Sequence, residues 1–597
     1  MSIVYANSII LDQTFLNNQV VVNVNCNNRT WLDNTMYGAF YNSRTIDSVT
    51  GLNNSVTNMT IAFGNCTNLK SSPTLPSNVT TLDSCFINCT NLTSTPTLPN
   101  SVVNLSATFY GCSNLIQVNE IPDSVINMEG TFYKCHNLTS INALPNNVEN
   151  LAYTFSSTNI AESPTIPNSV TNMYGTFGNC TKLTTAPTIP DSVTDLSLTF
   201  MFDSKLYQMP NIPDSITTLD RTFLLCEGFV SWNSSNTLSA NLETMRMTFV
   251  KCTNITYVPS LYNYTKLTNM YDAFQNCWKL SYTPNIPDSV THMAGTFSCC
   301  RNLTNITNLP PNLVNMGAGG SDLIPELPGQ HMLESGCFSY CTNLPDTNVP
   351  RIPNTVEDMC GTFAGCYTFV NTPTLPTSVI NTAECFMSCR NLITTTAIPS
   401  NVTNVQNMFA GCTNLTGNIY VASNKIQDAS NCFRGATAIK NLYIPFKNSD
   451  NSYSATYNTF KALGYDEETR KDGTILIDLA DSRVLTINPD IRNCETTLEY
   501  NGNTIVQKGS LSLLIPNNTT VNYTAMCPGY RVLTNSFVIN AHTTLDLTLV
   551  EPFRDYIITY DDEQYTTYTA PNSYMNIYTS SKESVNIAAD FTITQGN

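Results

Sequence analysis

Charge is scarce in this chain, and positive charge is the scarcer sign. Lys and Arg number 27 and Asp and Glu 44 among 597 residues, which leaves a net charge of −17. An acidic chain without a basic stripe does not suit nucleic acid or an anionic membrane surface. The charge instead keeps a long particle soluble. Histidine is scarcer still. The four are His136, His292, His331 and His542, and no pair has metal-ligand spacing. There is no Cys-x-x-Cys pair, no Gly-x-Ser-x-Gly elbow and no phosphate-binding loop. Single carboxylates such as Asp123, Asp191, Asp214 and Asp288 fall in turn sequences. The expectation is a protein that is not an enzyme and holds no cofactor or metal. No run approaches the roughly 18 apolar residues of a membrane helix, so no membrane insertion is expected. Met1 to Val20 lacks the cationic start and apolar stretch of a secretory signal.

What fills the chain is a repeat: Ile-Pro-x-Ser-Val-Thr-x-Met-x-x-Thr-Phe-x-x-Cys-Thr-x-Leu. It reads cleanly from Ile166 through Phe177 and Cys180 to Leu183. Its phenylalanines recur seventeen times from Phe40 to Phe433, mostly 23 residues apart, with Phe109, Phe132, Phe177 and Phe200 among them. A fixed period of about 20 to 50 residues signals a repeat solenoid, and this outranks the rule of one domain per roughly 150 residues. The Phe, Val, Met or Leu, Cys and Leu of each coil should point inward and form a continuous ladder core. The segment Thr-x-x-Pro-x-Leu-Pro should supply one short parallel strand per coil, with prolines removing ladder donors. The segment from Val to Phe could be extended or one helical turn.

Thirteen of the 22 cysteines sit three residues after a ladder phenylalanine, as Cys112, Cys135 and Cys180 do. One fixed place per coil is a packing position, and free Cys behaves as a small buried hydrophobe. Thr158, Asp203 and Ala436 take the same place elsewhere, which a disulfide framework would not readily allow. Reduced, buried thiols are expected.

In order, residues 1–35 read as an N-terminal β cap or docking segment, and 36–446 as about seventeen coils. Residues 447–472 read as a helical C-terminal cap, because Tyr453, Tyr457, Phe460 and Leu463 have helical spacing before Gly464. Alternation in Thr474–Asp478, Ser510–Pro516, Val521–Ala525 and Thr544–Leu549 predicts a β-sandwich over 473–550. A Tyr-rich β segment follows over 551–597. The step from Phe297 to Phe338 is 41 residues, so a Gly-rich insertion occupies 317–336. It carries Asp322 and His331 and reads either as a contact loop or as a tolerated insertion. Tyr207, Trp232, Tyr257 and Tyr282 recur every 25 residues, with Trp278 nearby. Such a stripe could stack on sugars or anchor a partner, but uneven offsets from the cysteine position favour ordinary packing.

Pro-x-Ser-Val, Phe-x-x-Cys and Leu at this period resemble the leucine-rich repeats of the BspA-like type over roughly residues 36–446. An extra proline (Pro73, Pro96, Pro187) departs from that pattern. Ile515-Pro516-Asn517-Asn518, Pro528-Gly529-Tyr530 and Thr544-Leu545-Asp546-Leu547 look like a PEGA-type surface sandwich. The resemblance implies a right-handed leucine-rich-repeat coil followed by all-β C-terminal domains. It also implies an adhesive or structural surface module. With no visible export signal, the sequence points to a phage virion appendage contacting a host surface glycan or protein. Other virion proteins would bind its terminal segments. The alternative is a bacterial cell-surface adhesin, and a third reading is a glycan-degrading tail enzyme. A homo-oligomer is left open.

Overall fold

A computed structural model of the chain describes residues 3–5, 23–27, 31–230, 232, 238–317, 336–468, 471, 474–490, 494–527, 530, 532–549, 555–560, 563–568 and 592–595.

Most coils begin with a turn whose first residue is a proline. Val79 N–H donates to the carbonyl of Pro76, and Val125 N–H to that of Pro122. The buried Val is followed, two residues on, by a single parallel bridge to the next coil. These bridges form a column, running Thr35, Asn58, Thr81, Asn104, Asn127, Asn150, Asn172 and again from Asp195 through Thr218, Thr244, Asn269 and His292 to Asp428. Asn or Asp suits this place because its Oδ1 accepts the N–H two residues ahead, closing an Asx turn. Asn104 does so for Ser106 at 2.9 Å, and Asp195 for Ser197 at 2.7 Å.

The chain from Met or Leu to Cys is neither extended nor helical. It is a run of turns in which backbone donors alternate. In one coil, the N–H groups of Leu82, Ser84, Phe86 and Asn88 donate to carbonyls of the next coil. Those of Cys85, Ile87 and Cys89 donate to carbonyls three residues back. The alternation goes with positive φ two residues before and two after nearly every ladder phenylalanine, as at Ser84 (53°) and Asn88 (57°). Asn tolerates this conformation, but Ile61 (52°) and Leu198 (60°) hold it under local strain.

The expected position of the strand was displaced. Bridges do occur in the Thr-x-x-Pro segment, such as Ser94 to Gln117 and Tyr282 to Asn305, but they form a broken second column. The prolines there leave too few donors for a continuous ladder. At the two ends of the stack that column becomes a sheet. Strands β4 (Thr416–Tyr420), β5 (Ala438–Ile444) and β6 (Ile475–Asp478) pair in parallel. The strand expected at Thr474–Asp478 as the first of the sandwich is therefore the last of the repeat stack. At the other end β1 (Ile3–Tyr5), β2 (Asn23–Asn25) and β3 (Ser48–Thr50) form a parallel sheet. The described residues thus form a stack of coils built from short strands, bridges and turns, with little helix.

The ladder core is continuous. All sixteen steps between successive ladder phenylalanines are stacked, with ring centroids 5.1 to 6.0 Å apart and planes within 17°. Phe109, Phe132, Phe177 and Phe200 are fully buried, as are Cys112, Cys135 and Cys180. The insertion does not break the stack, since Phe297 and Phe338 meet at 5.7 Å.

The ladder ends on helix α1 (Ala455–Ala462), whose first turn is capped by Ser454 accepting from Tyr457 N–H. Its Phe460 ring stands 6.4 Å from Phe433 and continues the stack. Gly464, at φ 85°, closes the helix as the sequence implies. Tyr453 precedes the helix and is exposed, stacking on Tyr457 at 4.8 Å.

Seven strands follow: β7 (Ser482–Pro489), β8 (Glu495–Tyr500), β9 (Asn503–Lys508), β10 (Leu511–Pro516), β11 (Thr519–Met526), β12 (Leu533–Ile539) and β13 (Thr543–Leu547). They form two sheets, β10-β7-β13 and β12-β11-β8-β9. Leu485, Ile487, Leu498, Ile515, Val521 and Leu547 share the core of this sandwich. Beyond it β14 (Asp555–Tyr560) pairs with β15 (Glu563–Tyr568) and β16 (Thr592–Gln595). Among the described residues, no helix is long and apolar enough to cross a membrane.

Candidate functional site

The ladder phenylalanine is flanked by two polar columns that tie coils together. Thr108 Oγ1, one residue before Phe109, donates to the Leu82 carbonyl of the preceding coil at 2.9 Å. Cys112, three residues after it, donates its thiol proton to the Phe86 carbonyl at 3.1 Å. All thirteen cysteines at this position make the same bond to the ladder phenylalanine of the coil before. Burial pushes the Cys112 thiol up to about 12, so it stays a donor and not a nucleophile. These cysteines are free thiols. Asp203 replaces the thiol in one coil. It is fully buried, its Oδ1 accepts from Cys180 N–H at 2.7 Å, and burial drives its carboxyl far above the usual range. It is therefore neutral. The ladder is structural throughout, and a site must be sought on its outside.

The aromatic stripe separates into parts. Trp232 is buried in the core, with its ring 5.3 Å from Phe249, and is not a surface contact. Its coil carries Phe229 in place of the usual Leu, and the enlarged core draws the indole in. Tyr207, Tyr257 and Tyr282 are exposed. Tyr257 and Tyr282 meet edge to face at 6.1 Å. Tyr207 follows the core Leu206 directly, whereas Tyr257 and Tyr282 lie two residues past Ile255 and Leu280, so the three do not share one register. Trp278 is exposed beneath the Arg301 guanidinium, 5.3 Å from its ring centre. Asp322 and His331 lie outside the described residues.

A cleft that no sequence pattern announces lies where the sandwich packs on the late coils. Arg351 pairs with Asp546 at 2.5 Å, and Asn354 reaches the same carboxylate at 3.2 Å. Ala397 N–H donates to Ser512 Oγ at 2.9 Å. Ala397, Leu479 and Val484 form a small apolar seal there, with Tyr420, Tyr443 and Leu514 against it. Two cavities of about 470 and 600 Å³ flank this seam and adjoin at Thr347, which lines both. The smaller holds two buried polar atoms without a hydrogen-bond partner, Arg351 Nε and Thr374 Oγ1.

The larger cavity has two walls. One is the second bridge column of the repeats, where Thr394 Oγ1 donates to Asn371 Oδ1 and Asn441 Nδ2 to Asn418 Oδ1. Tyr420 stands at its end, 5.2 Å from Tyr443, and its hydroxyl accepts from Asn418. The other wall is the β9–β10 connection, from Gln507 to Ser512. The lining is hydroxyl and amide groups with one carboxylate, Asp346, already bonded to Val370 N–H and Asn371, and one cation, Lys508. Near the seam, His542 Nδ1 accepts from Val484 N–H at 3.0 Å, and burial holds its pKa down to about 4. Among the described residues, no group of three His, Cys, Asp or Glu side chains could hold a metal. Such a cleft can form many neutral hydrogen bonds.

A family model described as BspA type leucine rich repeat region matches residues 2–116, 105–229, 233–319 and 331–462. No curated protein matches the chain. Among solved structures it is similar to a leucine-rich repeat protein from Bacteroides ovatus ATCC 8483. That likeness has 19% identity and a TM-score of 0.38, covering 67% of this chain and 87% of that one. It is also similar to a leucine rich cell surface protein from Faecalibacterium prausnitzii A2-165, at 21% identity and a TM-score of 0.27. Here 67% of this chain and 83% of that one are covered.

Proposed function

Because the chain belongs to the BspA-type leucine-rich-repeat family, we propose that it is a non-enzymatic binding protein displayed on a bacterial cell surface, with a neutral glycan as its ligand. The repeats, taken as a right-handed solenoid, are the stalk. The PEGA-like sandwich closes one end and completes the cleft. One observation carries the reading: the larger cavity is walled by Asn371, Thr394, Asn418 and Gln507 beside the Tyr420 ring, almost without charge. Sugar hydroxyls need paired donors and acceptors, which Thr, Asn and Gln supply, and an aromatic edge covers the apolar face of a pyranose. The virion appendage drew on the form of the N-terminus and on analogy, and the comparisons lend it no support.

The test is calorimetric titration of the full chain with neutral hexasaccharides of glucose, xylose and N-acetylglucosamine. At least one should bind, and Tyr420→Ala and Asn418→Ala should each weaken it about tenfold, roughly 1.4 kcal/mol. Binding that survives both variants moves the ligand elsewhere. Failure of all three sugars alongside tight binding of a host protein replaces the glycan with a protein ligand. Antibody labelling of intact cells checks the location.

A further inference from the structure

Of the nine cysteines outside the repeat position, two in the sandwich, Cys494 and Cys527, face each other. Strands β8 and β11 run antiparallel, with Asn522 opposite Glu499 and Met526 opposite Glu495. One further step in that register sets Cys527 opposite Cys494. Directly opposed residues on such strands have Cβ atoms about 4.5–5.5 Å apart, and a disulfide needs roughly 3.5–4.5 Å. Closing the pair therefore takes a shift of about an ångström at the end of two strands. The side chains are near neighbours, since Cys527 packs against the core cluster that holds Cys494. Cys494 is buried in the sandwich core, and Cys527 is half-exposed at its edge.

The thirteen ladder thiols differ on each count. Each is buried, and each gives its proton to a backbone carbonyl of the coil before, as Cys112 does to Phe86. Solvent-borne oxidant reaches none of them without opening the stack.

We propose that Cys494 and Cys527 form a modification site, oxidised to a cross-strand cystine by a small-molecule disulfide. The Cys527 thiolate attacks the reagent, forming a mixed disulfide and expelling one thiolate. The Cys494 sulfur then loses its proton and attacks the Cys527 sulfur, expelling the second. Two protein thiols become one disulfide, and one reagent disulfide becomes two thiols. Burial raises the Cys494 pKa, so the exposed partner attacks first and the buried one resolves. The bond has a local consequence. Gly509 N–H donates to the Cys494 carbonyl at 3.1 Å, and Gly509 lines the larger cavity. The cystine would pin the β9–β10 connection that walls the cleft, whatever the cleft binds.

The experiment treats native full-length protein with glutathione disulfide, then denatures it and blocks the remaining thiols. Two of the 22 cysteines should escape alkylation, and peptide mapping should recover Cys494 and Cys527 in one linked species, lighter by two hydrogens. The sandwich should melt at a higher temperature, and reductant should reverse the shift. In Cys527→Ser, which alters only the half-exposed partner, no thiol should be lost. Full alkylation of both residues after treatment overturns the proposal. So does a stable glutathione adduct on either one without the link, or loss of repeat cysteines instead.

Discussion

In the repeat stack, Phe177 meets only the rings of the coils on either side, Phe155 at 5.5 Å and Phe200 at 5.8 Å. In the sandwich, Leu498 stands opposite Tyr523 of one neighbouring strand and Ile505 of the other, in a core drawn from residues 485 to 549. The stack gains its stability one neighbour at a time, whereas the sandwich gains it from pairings that form together. The two also answer pH in opposite directions. Asp203 is held neutral by burial, so the folded stack binds a proton that the unfolded chain releases above about pH 3.9. Its stability falls as pH rises. His542 is held neutral near the seam, so the unfolded chain takes up a proton that the sandwich refuses between about pH 6.5 and 4. Its stability falls as pH drops through that window.

The largest break in this contrast should come from Phe177→Ala. It removes a fully buried ring with two stacked partners and should cost about 3–5 kcal/mol. In calorimetry the stack's transition should divide or broaden while the sandwich's holds. A single unbroken transition would mean that the coils do not act as near neighbours. Next, Asp203→Asn should remove a slope of roughly 1.4 kcal/mol per pH unit above about pH 4. Wild type and variant should then melt alike near pH 4 and diverge toward pH 7, with the variant the more stable. His542→Asn should flatten the opposite slope of the sandwich, by less, because the ring is not wholly buried. Cys112→Ala should cost about 1–2 kcal/mol for a lost thiol bond and a small cavity. Cys112→Thr should cost less, since Thr158 already serves in that place. Smallest of all, Arg351→Ala should cost about 1 kcal/mol or less, because its ion pair is partly solvated. It should uncouple the two transitions without lowering either much.

The ladder was legible because Phe, Cys and Leu recur at one period and nothing else satisfies their burial. The column of Asn and Asp was not, because Thr35, Asn58, Asp195 and His292 all serve there. What the position requires is a backbone bridge and, where Asn or Asp stands, an acceptor aimed two residues ahead. The run of alternating turns left no mark either, since Ile61, Ser84, Lys134 and Gly175 share its positive φ. Trp232 shares its spacing with Tyr207, which left a contact stripe open beside the favoured packing, and the structure buries it against Phe249. The cleft could not be read at all. Its two walls are joined by bonds such as that between Ala397 and Ser512, 115 residues apart, and no local pattern encodes a meeting of that kind.

The alternation of donors between Leu82 and Cys89 has a mechanical consequence. Half of that backbone's N–H groups reach to the next coil, so the bonds between coils point along the stack and share any load placed on its ends. Within one interface they act side by side, while successive interfaces act in series. A chain pulled by its termini should therefore yield one coil at a time. Each yielding coil, 23 residues long where Asn65 bonds Asn42, should release about 80 Å of chain. Single-molecule extension would show a sawtooth of that step, and the protein would lengthen under tension many times over before its last coil opened.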